Sequence, residues 1–177
     1  MKHTDEQTDV STITVQETAT DDDIPGNQET SSAILLAEDN FINQKVVSAI
    51  VKKAGYRVTI VEDGEAAVEQ YISAPDDYNL ILMDIQMPKL DGVAATRAIR
   101  QWETDQVMKK DASEPEPRRV CIIAITAGAV YHEESDYFQA GMDDLLLKPV
   151  RSEVLLTMID RWLGKYRQAG ENAKAMP

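Results

Sequence analysis

Residues 79–92 read NLILMDIQMPKLDG, an apolar run, LILM, that stops at Asp84. Four further runs share its character: ILLA within Ala33–Glu38, VTIV within Arg57–Glu62, CIIAI within Val120–Thr126 and LLL within Asp143–Lys148. Continuous rather than alternating apolar runs are the pattern of parallel strands covered on both faces. Between them lie stretches of helical period. Ile42, Val46, Ile50 and Ala54 recur every four residues, and Gly55 stands where a helix C-cap belongs. The period predicts further helices over about 65–72, 93–102 and 131–139, the last ending near Gly141. A fifth carries the stripe Val154, Leu155, Met158, Ile159, Trp162 and Leu163.

Five repeats of strand then helix specify an α/β domain with right-handed crossovers. The expected architecture is a flavodoxin-like three-layer sandwich, with five helices around a five-stranded parallel sheet. Periodicity alone does not order the sheet; 2-1-3-4-5 is the common solution at this size. The chain has 177 residues, one domain with some to spare. Residues 1–32 hold eight acidic side chains against Lys2 alone and no aromatic residue, so they are expected to be disordered. They read as a linker of a larger protein or a non-native extension, the linker being favoured. The folded unit is expected over 33–166, with a C-terminal tail at 167–177. The connection from Glu103 to Arg119, polar and carrying Pro115 and Pro117, is expected to be an exposed loop of solvated filler.

A formal net charge of −13 repels phosphate backbones and anionic membrane surfaces, so neither nucleic acid nor membrane is an expected partner. A single cysteine, Cys121, excludes an internal disulfide framework and fits a reducing compartment. The N-terminus has no signal-peptide pattern and no apolar run reaches the ~20 residues that span a bilayer. The expected location is cytoplasmic.

The strand ends carry the chemistry. The first strand runs into Glu38-Asp39, the third into Asp84, the fourth into Thr126 and the fifth into Lys148-Pro149. Ligands of open parallel sheets bind at these carboxyl ends, where the strand order reverses. With the first and third strands adjacent, three carboxylates crowd one crevice, and each pair at ~4 Å repels by roughly 4 kcal/mol at an effective dielectric of ~20. A hard divalent cation is the natural compensation, and few carboxylates without Cys or His suit Mg²⁺. Lys148 and Thr126 add a positive charge and a hydroxyl for phosphoryl oxygens. The set reads as phosphoryl chemistry on a carboxylate, with Asp84 the nucleophile.

ILLAEDN at 34–40, MDIQMPKLDG at 83–92, IIAITA at 122–127 and GMDDLLLKP at 141–149 together resemble a response-regulator receiver domain, over about residues 33–166. The wording EDNFINQ and MDIQMPKLDG resembles in particular the receivers attached to hybrid sensor histidine kinases. The resemblance implies a phosphoprotein of two-component phosphorelay signalling, in which Asp84 accepts a phosphoryl group from a phosphohistidine on a kinase or a histidine phosphotransfer protein. It implies Mg²⁺ held by Asp39 and Asp84 directly, by Glu38 through water and by the backbone carbonyl of Gln86. Lys148 would bind a phosphoryl oxygen, Thr126 would move toward it, and the Lys148-Pro149 bond would be cis. Phe41 and Ile42 would meet the phosphodonor. Receivers catalyse their own phosphorylation and dephosphorylation, and the family allows a weak homodimer.

One position departs from the family. Leu145 stands where receivers usually place the Tyr or Phe that turns inward with the threonine, so only half of that switch pair, Thr126 and Leu145, is of the usual type. Gln86 and Gly128 stand where the family tunes the life of the phosphoryl group. Taken singly, Asp39 or Asp84 reads more readily as a turn former, Lys148 as a solvated loop lysine and Thr126 as a strand-end hydroxyl. Jointly they do not. Cys121 reads as core, His132 as a surface residue, His3 as incidental, and Trp102 and Trp162 as core or partly covered. No DNA-binding or enzymatic domain is evident after Pro149, so output is expected to pass to another chain or to the rest of a longer one. A receiver of a hybrid kinase is the leading reading and a stand-alone regulator the second. The rivals are a pseudo-receiver that binds partners without phosphorylation, a flavodoxin-like small-molecule binder, which would lack its phosphate loop here, and a metal-dependent phosphatase, which would need an acid where Gln86 stands.

Overall fold

The computed structural model describes residues 32–111, 118–128 and 131–174. Most of the acidic N-terminal segment, His3 with it, lies outside them, as does the side chain of His132. The elements run β1 (Ala33–Ala37), α1 (Phe41–Lys53), β2 (Arg57–Val61), α2 (Gly64–Ser73), β3 (Tyr78–Asp84), α3 (Gly92–Lys109), β4 (Cys121–Thr126), α4 (Tyr131–Ala140), β5 (Asp144–Leu147) and α5 (Ser152–Lys174). The sheet is parallel with the order β2-β1-β3-β4-β5, the expected one.

Alternation along each central strand sorts its side chains into two cores. Leu35, Ile81, Met83, Ile122 and Ala124 face Ala67 and Tyr71 of α2, Ala95 and Ile99 of α3 and Tyr137 of α4. Ile34, Leu36, Leu82, Ile123 and Ile125 face Val47 and Val51 of α1 and Leu155, Ile159 and Leu163 of α5. Both faces are covered, so all residues of β1 and β4 are buried and the sequence shows no polar alternation there. Cys121 is among the buried residues, while Trp102 and Trp162 are partly buried against the two cores. α5 is pinned by polar links: Tyr56 Oη donates to Asp160 Oδ1 at 2.7 Å, Trp162 Nε1 donates to Asp144 Oδ2 at 2.8 Å, and Arg161 pairs with the same Asp144 oxygen.

Two helices differ in extent from the sequence reading. α5 continues past residue 166 to Lys174. The stretch from Glu103, expected to be loop, is helical as far as Lys109, and residues 112–117 lie outside the described ones. The apolar period of α3 fades after Trp102 because the next inward residue is Glu103, a buried carboxylate that hydrogen-bonds Tyr71 Oη at 2.9 Å and Val120 N at 2.8 Å. A polar residue on the buried face hides a helix from a reading based on hydrophobic period. No helix among the described residues is long and apolar enough to cross a membrane.

Candidate functional site at the carboxyl edge of the sheet

Register brings the site together. Ala37 of β1 pairs with Met83 of β3, so the next residues, Glu38 and Asp84, leave adjacent strands side by side. Asp84 in turn pairs with Ile125, which puts Thr126 one residue further along β4, and Lys148 N donates to Thr126 O at 2.7 Å just beyond β5. The Lys148-Pro149 peptide bond is cis.

Glu38, Asp39 and Asp84 each offer a carboxylate oxygen within 4.8 Å of the others. Glu38 and Asp84 are buried, and Asp39 is exposed. Among the described residues a single cation, Lys148, answers them, its Nζ 2.8 Å from Asp84 Oδ2 and 2.8 Å from Glu38 Oε2. Glu38 Oε1 accepts from Asn43 Nδ2 at 2.9 Å and from Asn40 N at 3.3 Å, and Gln44 Nε2 donates to the Glu38 carbonyl at 2.7 Å. Glu38 Oε2 is buried without a hydrogen bond, since Lys148 approaches it outside hydrogen-bonding geometry. On Asp84, Oδ1 accepts from Gln86 N at 3.3 Å.

Charge here is out of balance. Burial, first, and then the charge of Glu38 hold the Asp84 carboxyl above the usual carboxylate range, although its hydrogen bond to Lys148 pulls the other way. Burial would lower the Lys148 amine, but its hydrogen bond to Asp84 and its ion pair with Glu38 outweigh that and hold it above the usual lysine value. The two shifts are consistent, because the lysine has two carboxylates while Asp84 shares one lysine and faces a like charge. Three hard oxygen donors around Lys148, among them the buried Glu38 Oε2 that is ion-paired but accepts no hydrogen bond, fit a divalent cation.

The outer parts of the site are arranged as follows. Thr126 Oγ1 donates to Gly128 O at 3.1 Å, so the hydroxyl is engaged within its own loop. Leu145 is half-buried against the α2–α3–α4 side of the core. Phe41 and Ile42 open α1 at 64% and 70% exposure, with Lys45 Nζ 4.4 Å from the Phe41 ring centre. Asn40 caps α1, accepting from Ile42 N and Asn43 N. At the start of α3, a Cβ on Gly92 would lie 2.1 Å from the Asp84 carbonyl oxygen, so only glycine lets the helix begin this close to the strand end. Sequence reasoning missed Asn43 and Gln44 as the residues that orient Glu38. Their only signal was a place in the first turn of the helix that follows Glu38.

The family model for the response regulator receiver domain matches residues 34–160. The chain belongs to that family. A hybrid signal transduction histidine kinase of Dictyostelium discoideum is 40% identical to this receiver over 131 residues, 73% of this chain and 6% of that protein. The receiver domain of a sensor histidine kinase from Pseudomonas aeruginosa, solved with a magnesium ion in its active-site cleft, is 41% identical, with a TM-score of 0.62 over 76% of this chain and 98% of that one. The receiver domain of a Saccharomyces cerevisiae response regulator, co-crystallised with a histidine phosphotransfer protein, is 29% identical, with a TM-score of 0.65 over 75% of this chain and 88% of that one. The chain spans 6% to 13% of the length of the first curated relatives it matches.

Proposed function

We propose that this receiver takes a phosphoryl group from a phosphohistidine onto Asp84, as part of a phosphorelay and as the receiver of a hybrid sensor histidine kinase. The observation that carries the reading is the buried Asp84 carboxylate, held by Lys148 at 2.8 Å and crowded by Glu38 and Asp39. In the transfer the phosphorus–nitrogen bond of the donor breaks, a phosphorus–oxygen bond to Asp84 forms, and the imidazole nitrogen keeps the electron pair. Asp39 and Asp84 would hold Mg²⁺ directly, Glu38 through water and Gln86 by its carbonyl. When bound, the cation supplies charge neutralisation at the phosphoryl oxygens. Lys148, already poised on Asp84, exchanges part of that contact for a phosphoryl oxygen. Thr126 gives up Gly128 O and turns toward the new group, which biases the surrounding loop between two states. The magnesium-bound relative supports the cation, and the 33–166 unit with an N-terminal linker is the division we favour.

Intact mass after incubation with phosphoramidate or acetyl phosphate tests the acceptor. The wild type is expected to gain one phosphoryl group only with Mg²⁺, and Asp84→Ala none. A wild type that gains no mass and also fails to bind beryllofluoride would leave the pseudo-receiver as the better account.

The donor surface has its own test. The exposed Phe41 and Ile42 lie at the site's edge, and a receiver of this family has been solved with a histidine phosphotransfer protein. Phe41→Ala is expected to slow transfer from the cognate phosphoprotein by about fivefold or more, the size of an interface anchor. Uptake from phosphoramidate should be unchanged. Equal slowing with both donors would move Phe41 from docking to the site itself.

A further inference from the structure

The loop between β3 and α3, which carries Gln86, turns sharply at Lys89. Lys89 has φ +62°, and Leu90 N donates to Pro88 O at 2.7 Å. An i to i+2 bond around a positive-φ residue is the strained γ form of turn, and lysine has none of the features that make that region easy. The loop is tied down at the turn and at the residue after it. Lys89 Nζ reaches back to the end of β2, 2.5 Å from Asp63 Oδ2. The Asp63 carboxylate is divided, since its Oδ1 accepts from Ala66 N at 2.8 Å and caps α2. Beside it Gly64 N donates to Leu90 O at 3.2 Å, and a Cβ on Gly64 would sit 2.3 Å from that oxygen. Both partners respond to the contact. The Asp63 carboxyl is held below the usual range, first by Ala66 N and then by Lys89, and Asp63 holds the Lys89 amine above its usual value.

We infer that the Lys89–Asp63 ion pair is a clasp that holds the β3–α3 loop in its strained turn and so positions the Gln86 carbonyl at the mouth of the Glu38–Asp39–Asp84 cluster. The clasp rests on the phosphoacceptor reading, and its residues are positioning residues that touch neither the cation nor the phosphoryl group. Its effect has a sign that simple field effects lack. Taking a positive charge away from an acidic site would by itself tighten binding of a divalent cation. Loss of a clasp weakens it, because the carbonyl ligand is no longer held in place.

Calorimetric titration of Mg²⁺ into the full chain reads that sign. Lys89→Ala and Asp63→Asn are each expected to weaken Mg²⁺ binding by about threefold, the scale of one partly exposed ion pair. Asparagine keeps the N-cap acceptor, so Asp63→Asn removes only the charge. The double variant should bind no worse than either single one, and Lys89→Arg should bind like wild type. At ~1 M salt the difference between wild type and Lys89→Ala should shrink toward nothing, since the pair is screened. In magnesium-free protein, amide exchange at Gly64 should speed up in Lys89→Ala. Unchanged or tighter binding by Lys89→Ala overturns the clasp while leaving the acceptor chemistry in place. A wild type that binds no Mg²⁺ overturns the phosphoacceptor reading and the clasp together.

Discussion

Asp84→Asn is expected to melt at a higher temperature than the wild type in magnesium-free buffer at neutral pH, and to take up no phosphoryl group. The sign follows from Asp84's surroundings. Burial and the neighbouring Glu38 hold its carboxyl above the usual range, so the folded chain binds that proton more tightly than the unfolded chain does. Stability therefore falls as the pH rises from the usual aspartate pKa of about 4 through the raised value, and above it the full penalty for the charged group remains. Asparagine removes the charge and keeps most of the shape. Lys148 retains Glu38 at 2.8 Å, so the substitution leaves no cation alone. About 1 kcal/mol of relief raises the melting temperature of a domain this size by roughly 4 °C. The difference should vanish below about pH 4, where both chains are neutral at this position.

Magnesium should reverse the order. A cation present at ~100 times its Kd stabilises the wild type by about 2.7 kcal/mol, and the asparagine variant, one carboxylate short, gains less. Melting curves of both chains with and without Mg²⁺ would show the crossing. A variant less stable than wild type in both buffers would mean that the Lys148–Asp84 contact outweighs the crowding of carboxylates.

The acidic cluster was legible in the sequence because parallel strands end on one edge and Ala37, Met83 and Ile125 set the ladder. Strand ends then become neighbours once the order is known, and Glu38, Asp39, Asp84, Thr126 and Lys148 needed no further information. The sheet was legible for the same reason, since its central strands are buried on both faces and read as unbroken apolar runs. Asn43, Gln44 and the Lys89–Asp63 pair were not. Their contacts join a helix turn to a strand end and one loop to another, and neither hydrophobic period nor strand spacing records where such side chains meet. Asp63 stood at a strand end too, yet its partner is twenty-six positions away in another loop.

Glu103 is where the sequence reading and the structure part most widely, and the physical cause makes a large prediction. Read as the start of a solvated connection, it is a buried carboxylate at the end of the sheet opposite Asp84. Its Oε1 accepts from Tyr71 Oη and from Val120 N, and its Oε2 pairs with Arg100 Nη1 at 2.7 Å. Burial, and then the charge of Glu103, hold the Tyr71 phenol far above its usual range. Glu103→Ala orphans a buried hydroxyl and a buried backbone N–H at about 1–3 kcal/mol each, while Arg100 keeps Asp143 at 2.9 Å. The expected loss is about 3–5 kcal/mol, read as a lower urea midpoint with unchanged slope. Glu103→Gln keeps an acceptor and should lose less. Adding Tyr71→Phe to Glu103→Ala should recover part of the loss, because the orphaned hydroxyl goes with it. If the double variant is instead as unstable as the two losses added together, the hydroxyl was not held by Glu103. Where Glu103→Gln stays folded, its Mg²⁺ affinity should equal that of the wild type, since the two clusters stand at opposite ends of the strands.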